Sequence, residues 1–211
     1  MSRVILFASI LSGFAPFIAG LTMRHRLSST MRLLLIYFSI DLATELSMAY
    51  LGSKGINNLW MVHLFTIIQY GFMIAVFSSW QSNNLIKRML QVSIPITIVM
   101  GIVSMLFLEN VRHFNNFSRP ITSLILIMAS AYTLFELNKE KAISVFQEPR
   151  FWISSGTLLY FASTLVLFAL SNTLLNLPKH FTHMVFEIHS VMNIVANIIY
   201  AIGFLCQVRI P

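Results

Sequence analysis

Residues 32–51, RLLLIYFSIDLATELSMAYL, form an apolar stretch that is long enough to cross a bilayer as one helix. The stretch nevertheless carries Asp41 and Glu45 near its middle. A carboxylate at the centre of a spanning helix raises the insertion free energy by about 2.5–3.5 kcal/mol. Asp41 and Glu45 are one helical turn apart and therefore lie on the same face. We expect that face to point toward a polar interior shared with other helices.

The composition of the whole chain indicates an integral membrane protein. Of its 211 residues, 57% are hydrophobic and 10% are charged, and the mean hydropathy is +0.78. A soluble domain carries about 25% charged residues. The net charge is +7, but Lys and Arg fall mostly between apolar segments, which favours membrane lipids over nucleic acid as partners. The single Cys206 permits neither an internal disulfide nor a thiolate metal cluster.

Apolar runs of spanning length occur seven times and predict an all-α, polytopic membrane bundle of seven transmembrane helices. The connections are short, so residues 1–211 are expected to form a single domain. The first run is long for the apolar core of a signal peptide and predicts an uncleaved helix. The predicted spans are residues 4–22, 32–51, 59–80, 88–108, 120–137, 151–175 and 183–207.

Basic residues in the loops predict the orientation. Nine Lys and Arg fall on one side of the membrane and five on the other. The smaller group includes Arg119, which the sequence places in the loop before the fifth helix. Because the cytoplasmic side carries the excess, we expect the amino terminus outside and the carboxyl terminus in the cytoplasm.

The polar residues of the predicted helices fall on defined stripes. Helical spacing puts the following residues of the second helix on one face: Tyr37, Asp41, Thr44, Glu45 and Met48. On the third helix the corresponding stripe is His63, Thr66 and Tyr70, with Gln69 turned partly aside. The fourth helix contains Pro95, which predicts a kink, and the fifth offers mainly hydroxyls, such as Ser123, Ser130 and Thr133. Both helices are expected to be outer walls.

The depths of these polar residues predict a cavity that opens outward and is closed below by Asn197 and Tyr200. A lone histidine such as His63 is more often a packing residue. Asn193 and Asn197 are typical of interhelical hydrogen bonds, worth about 0.6–2 kcal/mol each. The candidate ligand-binding residues are Asp41, Glu45, His63, Tyr70, Tyr160, Glu187, His189 and Asn193.

Two stretches carry a resemblance to known proteins: PRFWISSGTLLYFASTLVLFAL at 149–170 and IHSVMNIVANIIYAIGF at 188–204. They resemble uncharacterised small seven-helix membrane proteins of Bacteroidota and, more loosely, the seven-helix input modules of bacterial sensor kinases. The resemblance implies seven helices, signal reception and a bacterial inner membrane. The chain departs from the kinase pattern, since no catalytic domain follows Pro211, so we expect any output to pass through a separate partner.

Four functions are compatible with these patterns. The first is a sensor or ligand-binding protein whose cavity takes a small molecule or a lipid. The second is an intramembrane metal-dependent hydrolase, although His183 and His189 are too far apart in helical angle to share a face. The third is an ion-coupled carrier using Asp41 and Glu45. The fourth is a structural subunit with a protein partner in the membrane. The sequence identifies no cofactor and favours a protein that is not an enzyme.

Overall fold

The chain is an all-α bundle, as predicted, and its described residues form seven helical spans that are long and apolar enough to cross a membrane. The computed structural model describes residues 3–110, 112–139, 145–174 and 178–206. No strand occurs within those ranges.

The bounds of the elements follow the apolar runs closely. The described helices are α1 (Arg3–Ser12), α2 (Phe14–Thr22), α3 (Ser29–Ser53), α4 (Leu59–Trp80), α5 (Asn84–Val103), α6 (Ser118–Leu137), α7 (Pro149–Ala169), α8 (Ser171–Leu174) and α9 (Lys179–Leu205). A π-helical turn, Ser104–Leu108, extends α5, and a 3₁₀ turn, Val145–Gln147, precedes α7. α1 and α2 together form the first span.

Most span ends lie within four residues of the predicted bounds, but the first and sixth spans differ in other ways. The first is interrupted at Gly13, between α1 and α2. The sixth ends at Ala169, and its predicted end at residue 175 lies outside the described residues, as does the predicted end of the seventh span at residue 207. Apolar residues continue beyond Ala169, so hydropathy alone does not mark the end. The helix ends where the Ser171 hydroxyl donates to the carbonyl of Phe168 at 3.0 Å.

Six of the spans form a closed ring. The α1–α2 pair packs against α3, α3 against α4, α4 against α6, α6 against α7, and α7 against α9, which returns to α1 and α2. α5 lies outside this ring and packs mainly on α4. The fourth span, α5, is therefore an outer wall, as predicted. The fifth span, α6, was also predicted to be an outer wall. That prediction is wrong, because α6 is part of the ring.

The lower half of the ring is closely packed. Phe38 lies between two side chains of α9, with ring centroids 5.0 Å from Tyr200 and 5.8 Å from Phe204. Glycines allow α7 and α9 to approach each other: a Cβ at Gly203 would lie 2.8 Å from Ile153 Cδ1. Small residues at helix contacts are the usual device for close packing in membranes.

Candidate functional site

A cavity of about 920 Å³ occupies the other half of the ring. Tyr200 lines its deep end, and Ser53 and Asn58 line its mouth. The mouth lies where α3 ends and α4 begins, on the side where α1 begins, which we call the amino-terminal face. The volume is in the range of small-molecule binding pockets, about 300–1,000 Å³. The cavity is therefore large enough to hold an organic ligand.

One face of α3 forms the wall that carries the acidic groups. All five residues that helical spacing placed together line the cavity: Tyr37, Asp41, Thr44, Glu45 and Met48. Asp41 lies at the middle of the helix and Glu45 lies one turn nearer the mouth. The polar face of this span thus points inward, as expected from the free energy of placing a carboxylate against lipid.

Glu45 is held between α9 and the break in the first span. Its Oε1 accepts a hydrogen bond of 3.2 Å from Asn193 Nδ2, which also donates to Ser9 Oγ at 3.0 Å. Its Oε2 is buried and has no hydrogen-bond partner among the described residues. A Cβ at Gly13 would lie 3.1 Å from that oxygen. The glycine therefore gives the carboxylate room where α1 gives way to α2.

Arg119 supplies the positive charge of the cavity. It is the second residue of α6, it lines the cavity, and it is only 8% exposed. Its Cζ lies 3.6 Å from the centroid of the Phe168 ring, and its Nη2 donates to the Tyr160 hydroxyl at 3.4 Å. Its Nε is buried without a hydrogen-bond partner in the described part of the chain. A cation over a desolvated ring gains about 2 kcal/mol, so Phe168 is part of what holds this charge inside the bundle.

Asp41 faces Arg119 without touching it. The two side chains interact electrostatically across the cavity. Within the described ranges, however, Asp41 makes neither a hydrogen bond nor a direct ion pair. It is partly exposed, and at the middle of a spanning helix that exposure is to the cavity. The carboxylate is therefore accessible to whatever fills the cavity.

His189 lies on the Arg119 side of the cavity. Its ring centroid is 5.3 Å from that of Phe168 and 5.9 Å from that of Tyr160. Its Nδ1 is buried without a hydrogen-bond partner among the described residues. Together with Glu45 and Arg119, it makes three cavity-lining residues with a buried polar atom left unsatisfied.

The deep end of the cavity is closed by hydrogen-bonded side chains. Gln69 Nε2 donates to the Tyr37 hydroxyl at 2.9 Å. Asn197 Nδ2 donates to Ser12 Oγ at 2.9 Å, and the Tyr200 hydroxyl lies 3.3 Å from Thr157 Oγ1. The interhelical role predicted for Asn193 and Asn197 is confirmed. Asn197 and Tyr200 also lie where the sequence predicted the floor.

Three predicted site residues do not line the cavity. His63 is buried, and its Nε2 donates to the carbonyl of His113 at 3.1 Å. The hydroxyl of Tyr70 donates to Ser93 Oγ at 2.7 Å and thereby joins α4 to α5. Glu187 lies on α9 outside the cavity lining. The other five candidates line the cavity, namely Asp41, Glu45, Tyr160, His189 and Asn193.

Arg119 is the residue that the sequence reasoning missed. Hydropathy alone places it in the loop, because the apolar run begins at residue 120. The signal was Pro120, since proline is favoured in the first turn of a helix. A helix that includes Pro120 in its first turn also includes Arg119. The helix begins at Ser118, and Asn115 Oδ1 accepts a hydrogen bond of 2.9 Å from the backbone N–H of Arg119.

The chain matches no family model, no curated protein and no solved structure. The site must therefore be interpreted from its own chemistry. The described residues contain no group of three or more His, Cys, Asp or Glu side chains arranged to hold a metal ion. The geometry thus gives no support to the metal-dependent hydrolase, because His63 and His189 do not share a site.

The loop between α5 and α6 covers part of the mouth. Phe114 lines the cavity, and its ring lies 5.8 Å from that of Phe186. Asn172 pairs with the backbone of Phe114 in both directions: Oδ1 accepts from the N–H and Nδ2 donates to the carbonyl, each at 3.1 Å. His63 and Asn57 bind the carbonyls of His113 and Arg112 in the same loop. The loop is therefore held by side chains of α4, of α8 and of the connection between α3 and α4.

We expect Asn172→Ala to loosen this loop and leave the rest of the bundle intact. The change removes two hydrogen bonds, each worth about 0.5–1.5 kcal/mol. Hydrogen exchange followed by mass spectrometry should then be about tenfold or more faster in peptides that contain Phe114. Asn83→Ala is the matched control, because Asn83 caps α5 on the opposite face. Equal exchange at Phe114 in the unchanged protein, Asn172→Ala and Asn83→Ala would contradict the role of Asn172 in holding the loop.

Proposed function

We propose that this integral membrane protein is a sensor or ligand-binding protein whose polar cavity opens to the outside. The observation that carries the proposal is a pair of opposite charges, Asp41 and Arg119, that face one cavity without a direct ion pair. Packing alone gives no reason for such an arrangement. Charges inside a bundle are expensive unless they are paired and hydrogen-bonded.

The size of the cavity supports the same proposal. Protein interiors are close-packed, with few voids larger than a water molecule. A cavity of about 920 Å³ beside a tightly packed half-bundle therefore supports a binding function. Eight of its lining residues are Phe or Tyr, and binding pockets are commonly apolar with a few polar groups that orient the ligand.

The proposed orientation, with the amino terminus outside and the carboxyl terminus in the cytoplasm, rests on the basic residues. Arg119 is inside the bundle and leaves the loop count, so the bias becomes nine against four. The test uses Lys54→Cys and Ser82→Cys, each in a Cys206→Ser background. In intact cells an impermeant maleimide should label the first and not the second. The reverse result would place the cavity mouth in the cytoplasm.

The proposal further includes that the protein receives a signal and lies in a bacterial inner membrane. Both parts are supported by the resemblance at 149–170 and 188–204 to small seven-helix proteins of Bacteroidota and to kinase input modules. A sensor of this kind passes its output to a protein partner in or at the membrane.

The binding function is tested by the thermal stability of the purified protein in an uncharged detergent against a panel of small amphipathic molecules. A ligand at about 100 times its Kd stabilises the folded state by about 2.7 kcal/mol, so binding should raise the melting temperature measurably. The variant Glu45→Gln should lose at least part of that shift.

The control for this experiment is Glu136→Gln, at the other end of the bundle. Glu136 Oε1 accepts hydrogen bonds from Ser82 and Tyr132, away from the cavity. The shift should be the same in this variant as in the unchanged protein. A panel in which no molecule shifts the melting temperature would overturn the binding function and favour a structural subunit.

A further inference from the structure

The two sides of the cavity carry complementary and incompletely used hydrogen-bonding groups. An ionised carboxylate can only accept hydrogen bonds, and a guanidinium can only donate them. Asp41 has no donor partner among the described residues. Arg119 has five N–H donors, and among the described residues only the Tyr160 side chain accepts a hydrogen bond from them. One wall therefore requires a donor and the other requires an acceptor.

The nearby polar groups do not meet these requirements. Asn193 directs its amide N–H groups to Ser9 and Glu45, and Gln69 donates to Tyr37. His189 lies beside Arg119 but makes no hydrogen bond through Nδ1. The cavity wall thus contains no described side chain that bridges Asp41 and Arg119. A bound molecule that carries both a donor and an acceptor would bridge the two groups.

A ligand with one charge would satisfy only one of the two walls. An organic cation would be attracted by Asp41 and Glu45 but repelled by Arg119. An organic anion would be attracted by Arg119 but repelled by Asp41 and Glu45. A molecule that carries both charges on a short spacer satisfies both walls at once, and its apolar part can contact aromatic side chains such as Phe38 and Phe65.

We propose that the cavity binds a zwitterion, with a primary ammonium group at Asp41 and an acidic group at Arg119. This inference rests on the proposed ligand-binding function and names its ligand class. The same chemistry occurs in a free amino acid with an apolar side chain and in a phosphoethanolamine lipid headgroup. The aromatic lining requires that the molecule also have an apolar body.

The test compares probes that differ only in charge, by calorimetric titration of the full chain in a maltoside detergent. Phenylalanine carries both charges, phenethylamine carries the ammonium alone, and 3-phenylpropionate carries the carboxylate alone. The lipid arm compares short-chain phosphatidylethanolamine with phosphatidylglycerol of the same chains. The molecule with both charges should bind about tenfold or more tightly than its singly charged partners, the size of one charge-assisted hydrogen bond.

Variants assign each charge to its wall. In Asp41→Asn the affinity for the zwitterion should fall to that of the molecule with the acidic group alone. In Arg119→Gln it should fall to that of the molecule with the ammonium alone. Tyr160→Phe is a milder change on the Arg119 side and replaces Arg119→Gln in the test if that variant does not fold. It should weaken binding of the zwitterion severalfold. The exposed Arg88 and the distant Glu136 provide the charge-matched controls Arg88→Gln and Glu136→Gln.

Each outcome either distinguishes a free zwitterion from a lipid headgroup or contradicts zwitterion binding. Preference for phenylalanine supports a free zwitterion, and preference for phosphatidylethanolamine alone supports a lipid headgroup. Equal binding of phenethylamine and phenylalanine would overturn the zwitterion in favour of an organic cation. If neither doubly charged probe binds while another panel molecule raises the melting temperature, the ligand class is wrong and the binding function stands.

Discussion

Arg119→Met should destabilise the folded bundle by about 3 kcal/mol or more, the loss typical of a buried charge network from which one member is removed. The change removes the guanidinium stacked on Phe168 and the hydrogen bond to Tyr160. It also leaves Asp41 without the positive charge that faces it. The free energy of unfolding can be followed in mixed micelles with increasing denaturing detergent, using helix content as the signal.

A double-mutant cycle separates the charge effect from the loss of packing. If Arg119 acts mainly by stabilising the Asp41 carboxylate, Asp41→Asn should reduce the damage caused by Arg119→Met. The double variant should then be more stable than the sum of the single effects predicts, by about 0.5–3 kcal/mol. Arg88→Met, on the exposed surface of α5, should be close to neutral. Additive effects of the two cavity variants would show that the charges do not interact across the cavity.

The fold was predictable because the membrane imposes a strong constraint on each helix. Every spanning segment must satisfy its own backbone hydrogen bonds and present an apolar surface. Seven long apolar runs therefore specify seven helices, and the 59–80 run coincides with α4. The order of the helices around the ring was not predictable, because hydropathy does not state which apolar faces meet. For this reason α6 was expected at the outside and was found in the ring.

The acidic wall of the site was predictable for the same physical reason. Carboxylates at mid-depth must face inward, which fixes the rotation of α3 about its axis. No such constraint acts on α4. The stripe of His63, Thr66 and Tyr70 has the correct depth, but the neighbouring stripe, which includes Phe65 and Gln69, faces the cavity. Helical spacing identifies the residues that share a stripe. It does not determine which stripe of a weakly polar helix faces the cavity.

Gly156→Val should destabilise the protein by about 1–3 kcal/mol and should also reduce ligand binding. A Cβ at this position would lie 2.8 Å from Cε1 of Tyr200 and 3.2 Å from Cγ2 of Ile199. Overpacking of this kind forces side chains away from their preferred rotamers or separates the helices. Tyr200 closes the deep end of the cavity and lies beside Thr157. Its displacement therefore alters the binding site as well as the α7–α9 contact.

The matched control is Gly71→Val on α4. A Cβ at Gly71 would meet no atom within 4 Å, so the added side chain should change the free energy of unfolding by less than about 0.5 kcal/mol. Both changes place the same β-branched residue inside a spanning helix. The difference between them therefore reports the contact with α9 and not helix propensity. Equal stability of the two variants would mean that α7 and α9 do not meet at Gly156, and the floor of the cavity would have to be assigned to other side chains.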